Sequence, residues 1–112
     1  MARRARPLLP PAEVAAILRA IGDPRRYDIV RELAAAEGAV PCCTLAQADQ
    51  VGAPTLSHHL GQLEQAGLVE IARDGKFAVL RFRRDRFALF LRQLAADGRV
   101  CLLPDAARIG TD

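Results

Sequence analysis

The 112-residue chain contains no tryptophan, few aromatic residues and three cysteines, two of them adjacent. The scarcity of aromatic side chains disfavours a platform on which bases or sugars stack, and three cysteines do not make a disulfide framework. No apolar run approaches the roughly 20 residues of a membrane span, and neither a long apolar region nor a cleavage site follows the basic start of the chain. We therefore expect a cytoplasmic protein with reduced thiols and no membrane partner.

The chain also lacks a strong excess of one charge, because it has 16 Lys and Arg residues and 13 Asp and Glu residues, a net charge of +3. This balance is poor evidence for nucleic-acid binding, so the positions of the charges must decide. The chain is 51% apolar, which predicts folding, and its length suits one small domain. We predict a disordered basic arm over residues 1–10, a folded domain over 11–98 and an extension over 99–112. The arm is a solvated tail or touches DNA phosphates.

The most informative stretch is a predicted helix that starts around Pro54 and ends before Gly67. Pro54 suits the first turn, where its missing N–H is no loss, and Gly67 suits a left-handed residue after the helix. Leu56, Leu60 and Leu63 recur at the spacing of one helical face. The opposite face is polar and carries no long acid, so the helix can lie in a DNA major groove. The predicted DNA contacts of this helix are Thr55, Ser57, His58, His59 and Gln62.

The chain has two histidines, His58 and His59, and they have more than one interpretation. We favour contact with a base or phosphate for at least one of them. The alternatives are a surface pair without a role, or one histidine packed against the core. A zinc site built on them is disfavoured, because no cysteine lies near in the same helix.

Three further helices are predicted before this one. The first begins at Pro10-Pro11 with an apolar stripe, and the second opens at Asp23-Pro24, with Asp23 as its N-cap. A two-turn helix over Leu45–Val51, capped by Thr44, precedes a tight turn at Gly52-Ala53. Together, the short helix, the turn and the polar helix have helix-turn-helix spacing. The basic residues expected to be exposed on the second helix, within reach of a DNA backbone, are Arg25, Arg26 and Arg31.

After Gly67 the apolar period changes to that of a β-hairpin. Leu68–Arg73 and Lys76–Arg83 are predicted strands joined at Asp74-Gly75, a pair that suits a turn with two positive φ angles. Basic residues gather here. The hairpin is either a wing that contacts phosphates or enters the minor groove, or a solvated edge whose charge prevents aggregation. We favour the wing, and its predicted DNA contacts are Arg73, Lys76 and Arg81.

A last helix is predicted from Asp85, as its cap, to Asp97. The first and last helices both carry apolar stripes that one small domain cannot cover, so we infer a homodimer through these helices. The predicted fold is therefore mainly α with a small β-hairpin, a winged helix-turn-helix of about five helices and a two-stranded wing. Paired acids, a Gly-rich phosphate loop and a metal-binding His/acid cluster are absent from the sequence, so we expect a DNA-binding protein and not an enzyme.

Four blocks of sequence share the pattern of one family. They are AIGDPRRYDIV at 20–30, CTLA at 43–46, LSHHL at 56–60 and LEQAGLV at 63–69. With the hairpin, they resemble the ArsR/SmtB family of bacterial winged-helix repressors from about residue 14 to 94. The chain departs from that family at Gly52, where a Ser or Thr cap is usual. The resemblance implies a homodimer that represses from operator DNA and is released by an effector, often a metal or metalloid.

The resemblance also suggests which effector binds. Family members with zinc at the dimer interface use His and carboxylates on the last helix, and here that helix has no His. The family's arsenite sensors carry a Cys-Val-Cys motif before the turn, and Cys43 falls on its second cysteine with Cys42 on the middle residue. As(III) or Sb(III), which prefer sulfur ligands, would then bind Cys42 and Cys43. Cys101 of either subunit would supply a third thiolate, and no constitutive cofactor is expected.

Two alternatives use the cysteines differently. Some family members respond to persulfide or oxidants through one cysteine near the end of the second helix and one on the last helix, a pattern that Cys42 or Cys43 with Cys101 fits. Such a disulfide requires Cα atoms within about 7 Å. Alternatively, the cysteines are inert packing and the regulator has no thiol sensor. We favour the metalloid.

Overall fold

Residues 7–101 are the part of the chain that the computed structural model describes. Over this part, the chain forms four α-helices and one small antiparallel sheet. The helices are α1 (Pro11–Ile21), α2 (Pro24–Ala35), α3 (Ala53–Gln65) and α4 (Arg84–Gly98). The strands are β1 (Val40–Pro41), β2 (Val69–Asp74) and β3 (Phe77–Phe82), in the order β1-β3-β2, and the sheet packs against α2 and α3. None of these described helices has the length and apolar character needed to cross a membrane.

Helix α3 turns an apolar back towards the core, as its leucine spacing predicts. Leu56, Leu60 and Leu63 are buried, together with Ile17 of α1 and Leu80 of β3. Full burial of a side chain of this size contributes about 1.5–3 kcal/mol of transfer free energy. This burial determines the rotation of α3 about its own axis, so its opposite face points to solvent. The other large, fully buried side chains are Ile29, Val30, Leu33, Leu68, Val69 and Phe90.

The segment before α3 differs from the predicted fifth helix over Leu45–Val51. It forms two short 3₁₀ turns, Cys42–Thr44 and Ala46–Asp49. Leu45 separates them, because it is extended, with φ −64° and ψ 141°, and its side chain is buried in the core. The described residues therefore contain four α-helices and not five.

Thr44 does not cap the second of these turns, contrary to the prediction. Its hydroxyl donates backwards to the carbonyl oxygen of Pro41 at 2.7 Å. The carboxylate of Glu32, on α2, accepts instead from the N–H of Ala46 at 3.1 and 3.2 Å. A cap that lies 14 residues away along the chain leaves no local sequence signal.

The hairpin differs from the prediction in its turn and in the number of strands around it. Asp74 pairs with Phe77, so the two-residue loop is Gly75-Lys76 and not Asp74-Gly75. Of these residues only Gly75 has a positive φ, 63°, which suits a turn with glycine at its first central position. The strand β1 also pairs with β3, and the sheet has three strands. Two residues are too few to show the alternation by which a strand is predicted.

The start of the described chain belongs to the fold. Leu9 is buried, and the N–H of Leu8 donates to Oε1 of Gln93, on α4, at 2.7 Å. The disordered arm predicted over residues 1–10 therefore does not include Leu8 and Leu9, because these residues are held against the helices. Residues 1–6 of that arm and residues 102–112 of the predicted extension lie outside the described residues.

The two predicted aspartate caps have different outcomes. The carboxylate of Asp23 accepts from the N–H of Arg25 at 2.8 Å, which caps α2 as predicted and lowers the pKa of Asp23. Asp85 lies within the first turn of α4 and does not cap it. Its carboxylate accepts two hydrogen bonds from Arg83, at 3.1 and 2.9 Å, and these lower the pKa of Asp85 to about 2.

Candidate nucleic-acid interface

The front of α3 is open to solvent near the start of the helix. Thr55, Ser57 and His58 are exposed, and Gln62, one turn beyond His58, is half-buried. We call these four residues the reading face. No side chain caps the first turn of α3, which follows Gly52. Its first N–H groups are therefore free of a side-chain partner, and helix N-termini of this kind favour anions such as phosphate.

His59 is a predicted DNA contact that does not belong to the reading face. Only 6% of its surface is exposed, and its Nδ1 lies 3.4 Å from the guanidinium of Arg26, on α2. Burial lowers the pKa of His59, and the nearby carboxylate of Asp23 opposes this. The expectation that His59 faces solvent is wrong, because one step of the helix beyond His58 turns this side chain towards α2. The alternative of one histidine packed inside the protein applies.

Arg26 is likewise not exposed, contrary to expectation. Its Nε donates to the carbonyl oxygen of Ala20 at 2.6 Å, and a terminal nitrogen donates to that of Arg19 at 3.4 Å. It also lies 3.8 Å from the carboxylate of Asp23. Arg26 therefore joins the end of α1, the start of α2 and the back of α3, and its charge is used within the fold. Arg25 and Arg31 are exposed, as predicted.

The wing, formed by β2 and β3, carries the three predicted basic contacts. Arg73, Lys76 and Arg81 are all exposed. Arg81 lies opposite Glu70 in the register of the two strands, so an acid accompanies it. Lys76 lies in the turn at the wing tip and Arg73 lies just before it on β2, with Asp74 between them as the accompanying acid. The wing is therefore weakly basic, with its cations spread along its length.

Two other arginines that follow the wing are occupied within the protein. Arg84 donates to the carbonyl oxygens of Ala34 and Ala36, each at 2.7 Å, and so caps the end of α2. Arg83 binds Asp85 and lies 3.7 Å from Glu70. These contacts distinguish Arg83 and Arg84 from the freely exposed cations of the wing.

The end of α3 is tied to α1 and α4 by contacts that sequence reasoning missed. Gly67 adopts the predicted left-handed conformation, with φ 79°. A Cβ atom at Gly67 would lie 2.5 Å from Nε of Arg86, on α4, and Arg86 forms an ion pair with Glu13 of α1. The 3₁₀ turn before α3, Ala46–Asp49, is likewise held to α2, because the buried Gln47 donates to the carbonyl oxygen of Arg25 at 2.7 Å. Such pairs are distant in sequence and have no local pattern.

The cysteines lie around and beyond the helix-turn-helix. Cys42 is half-buried and Cys43 exposed in the first 3₁₀ turn, and Cys101 is exposed after α4. Burial and the neighbouring Cys43 raise the pKa of Cys42, and Arg73 opposes this. Within residues 7–101 no three His, Cys, Asp or Glu side chains are grouped as a metal site. The predicted set of Cys42, Cys43 and Cys101 is therefore not assembled within one protomer.

Cys42 lies next to both the reading face of α3 and the wing. It lines a cavity of about 210 Å³ between α3 and the wing, together with Ser57 and Arg73. The remaining residues around this cavity are Leu60, Gly61, Glu64, Ile71 and Ala78. One thiol thus shares a cavity with one residue of the reading face and one cation of the wing.

Comparison with known proteins places this arrangement among DNA-binding regulators. A family model described as a helix-turn-helix domain matches residues 21–72. The chain is 36% identical over 63 residues to an uncharacterised HTH-type transcriptional regulator, MJ1325, of Methanocaldococcus jannaschii, covering 56% of this chain and 70% of that protein.

Two of the similar solved structures illustrate the match over most of the chain. One is a homodimeric winged helix-turn-helix DNA-binding domain from Mycobacterium bovis, Mb0332, described as a possible ArsR-family transcriptional regulator. It is 32% identical with a TM-score of 0.59, and the match covers 79% of this chain and 82% of that one. The other is the transcriptional repressor BigR from Xylella fastidiosa, which is 30% identical with a TM-score of 0.56 over 82% of this chain and 90% of that one.

Proposed function

Because the chain belongs to the ArsR family of winged helix-turn-helix transcriptional regulators, we propose that it is a cytoplasmic repressor that binds operator DNA as a homodimer. The observation that carries this proposal is the outward reading face of α3 beside a wing with three exposed cations. A helix in the major groove reads base edges from its N-terminal turns, and a wing positions it on the phosphates. The activity of the protein is then binding and not catalysis.

The dimer proposal rests on apolar surface that one protomer leaves uncovered. Leu18 of α1 is 47% exposed, and Leu91 and Leu94 of α4 are 42% and 37% exposed. A second copy of the chain covers these side chains if the two protomers meet through α1 and α4, and the similar M. bovis domain is described as homodimeric. Two recognition helices about 34 Å apart then match successive major grooves.

DNA binding can be tested before the operator is identified. The full chain is used to select duplexes from a random-sequence library, and the dissociation constant of the best duplex is measured between 50 and 200 mM salt, a range chosen for its effect on phosphate contacts. We expect an enriched palindromic sequence and a steep loss of affinity with salt. If no duplex is enriched and no salt-dependent binding occurs, the proposal is wrong and an adaptor that binds protein partners becomes the better explanation.

We further propose that As(III) or Sb(III) releases the repressor from DNA through Cys42 and Cys43. Each As–S bond forms as a thiol proton and one hydroxyl of arsenous acid leave together as water, so two thiols hold the metalloid. The support is chemical and spatial. The two thiols are adjacent, and Cys42 shares its cavity with Ser57 and Arg73, so an occupant there separates α3 from the wing. Cys101 is not grouped with Cys42 and Cys43 within one protomer. A third thiolate from Cys101 would therefore have to come from another arrangement, such as the second subunit of the dimer.

The metalloid proposal is tested by release from the selected duplex. We expect arsenite to release the wild type and a Cys101→Ser variant with two remaining thiols, and to leave a Cys42→Ser/Cys43→Ser variant on DNA. Normal release of the double variant rules out the vicinal thiols. If polysulfide or peroxide releases the protein instead, and mass spectrometry finds Cys42 or Cys43 joined to Cys101, the redox alternative holds. If none of these reagents acts, the regulator does not sense through thiols.

A further inference from the structure

The wing tip carries an aromatic side chain that nothing in the described part of the fold covers. Phe77 is 67% exposed, more than any other large apolar side chain among residues 7–101. It is the first residue of β3, directly after the Gly75-Lys76 loop, and pairs with Asp74. A single exposed apolar side chain is common on protein surfaces and does not by itself indicate a partner. Phe77 is of interest because it lies at the wing tip with the exposed cations Arg73 and Lys76, next to the candidate DNA interface.

The proposed dimer surface does not account for this exposure. At the base of the hairpin, Val69 pairs with Phe82, and α4 follows two residues later at Arg84. Phe77 lies five residues before Phe82, at the opposite end of β3. A strand rises about 3.3 Å per residue, so the tip is roughly 17 Å from that base. The exposed apolar side chains assigned to the dimer belong to α1 and α4, so a dimer through these two helices does not by itself cover Phe77 on β3.

We infer that Phe77 is a DNA contact, which lies against sugars or a base step in the minor groove next to the half-site that α3 reads. This inference rests on the proposed function and adds to it one wing residue, Phe77, and the apolar kind of contact that this residue makes. Lys76 in the turn and Arg73 on β2 outnumber the one acid of the tip, Asp74, and draw the tip to the phosphates that border the groove. Apolar side chains that enter a minor groove rest on deoxyribose or wedge between base pairs. The occupant is thus continuous with the candidate DNA interface.

The salt dependence of DNA binding distinguishes an apolar contact by Phe77 from phosphate contacts by the cations beside it. Binding by Lys or Arg releases counterions, so log K falls as log salt rises, and we call the steepness of this fall the salt slope. Removal of one phosphate contact lowers the salt slope by about 0.9. Phe77 releases no counterions. Phe77→Ala should therefore weaken binding to the selected duplex by about tenfold and leave the salt slope unchanged. Phe77→Leu should keep most of the affinity, and the matched variant Lys76→Ala should lower the slope.

A direct readout is provided by Phe77→Trp, because the chain contains no other tryptophan. With the selected duplex, we expect the indole emission to be quenched and protected from acrylamide, at an affinity close to that of the wild type. The side chain is exposed, so these variants should keep the melting temperature of the wild type, and this is measured first.

Each outcome decides the inference. It is overturned if Phe77→Ala binds the duplex as tightly as the wild type, or if the indole emission of the Phe77→Trp variant stays unchanged when the protein is saturated with DNA. In either case the proposed function stands. It is also overturned if the emission changes with protein concentration in the absence of DNA, since a second copy of the chain then covers the tip. If the wild type binds no duplex, the proposed function fails and the inference fails with it.

Discussion

The two histidines of α3 are neighbours in sequence and lie in opposite environments. His58 is exposed on the reading face, whereas His59 is buried against Arg26 and Asp23 at the start of α2. Side chains on the front of α3 contact water and can bind a ligand, whereas side chains on the back pack inside the protein. The difference teaches that substitutions on the two faces should have separable effects, on binding at the front and on stability at the back.

The largest effect is expected from the back of α3. Leu63→Ala should lower the free energy of unfolding by about 2–5 kcal/mol, because Leu63 is fully buried and its truncation leaves a cavity. Gln65→Ala, at an exposed position of the same helix, is the control and should change stability by less than about 0.5 kcal/mol. Urea denaturation measures both. Equal stability of the two variants would contradict the assignment of the back to the core.

The next largest effect concerns the front. Ser57→Ala and His58→Ala should each remove about 1–3 kcal/mol of discrimination between the selected duplex and a random duplex, with the unfolding midpoint and the dimer intact. Competition binding measures the discrimination, and sedimentation measures the dimer. Unchanged discrimination in both variants would mean that α3 does not read the bases.

A smaller, pH-dependent effect distinguishes the two histidines from each other. The lowered pKa of His59 means that, below the unfolded-state value of about 6.5, the unfolded chain takes up a proton that the folded chain does not. The free energy of unfolding therefore has its full value above about pH 6.5 and decreases as pH falls from there towards the folded-state pKa of His59, by at most about 1.4 kcal/mol per pH unit.

The two matched variants test this sign. His59→Gln should flatten the dependence of unfolding free energy on pH in this window, and His58→Gln should leave it as in the wild type. Denaturation at a series of pH values below 7 supplies the measurement. A flat profile in the wild type, or an equal change in both variants, would contradict the buried environment of His59.

The smallest effect is expected from single cations of the wing. Arg73→Ala should weaken binding to all duplexes alike and lower the salt slope by about 0.9, the value for one phosphate contact. Arg84→Ala is the informative control, because Arg84 is bound to the carbonyl oxygens of Ala34 and Ala36. It should lower thermal stability and keep the slope. If Arg84→Ala lowered the salt slope and Arg73→Ala lowered only the thermal stability, Arg84 and not Arg73 would be the phosphate contact.

Much of the fold could be predicted because its signals are local. The leucine spacing of α3, the cap at Asp23, the left-handed Gly67 and the hairpin each involve residues within a few positions of one another. The prediction of a helix over Leu45–Val51 is wrong because Leu45 is extended and the cap of the following 3₁₀ turn is Glu32, 14 residues away from Ala46. The exposure expected of His59 and Arg26 failed because the two side chains meet each other, 33 residues apart in sequence.

The amino-acid sequence by itself determined that α3 has an apolar back and a polar front, since periodicity within one helix is enough to separate its two faces. Only the tertiary structure decided where the boundary between these faces falls, which arginines are free and which thiol borders the reading face. The physical reason is that burial and hydrogen bonding of a side chain depend on whatever the folded chain brings against it. Arg26 and Asp23 reach His59, and Ser57 and Arg73 share a cavity with Cys42, through packing that no local pattern encodes.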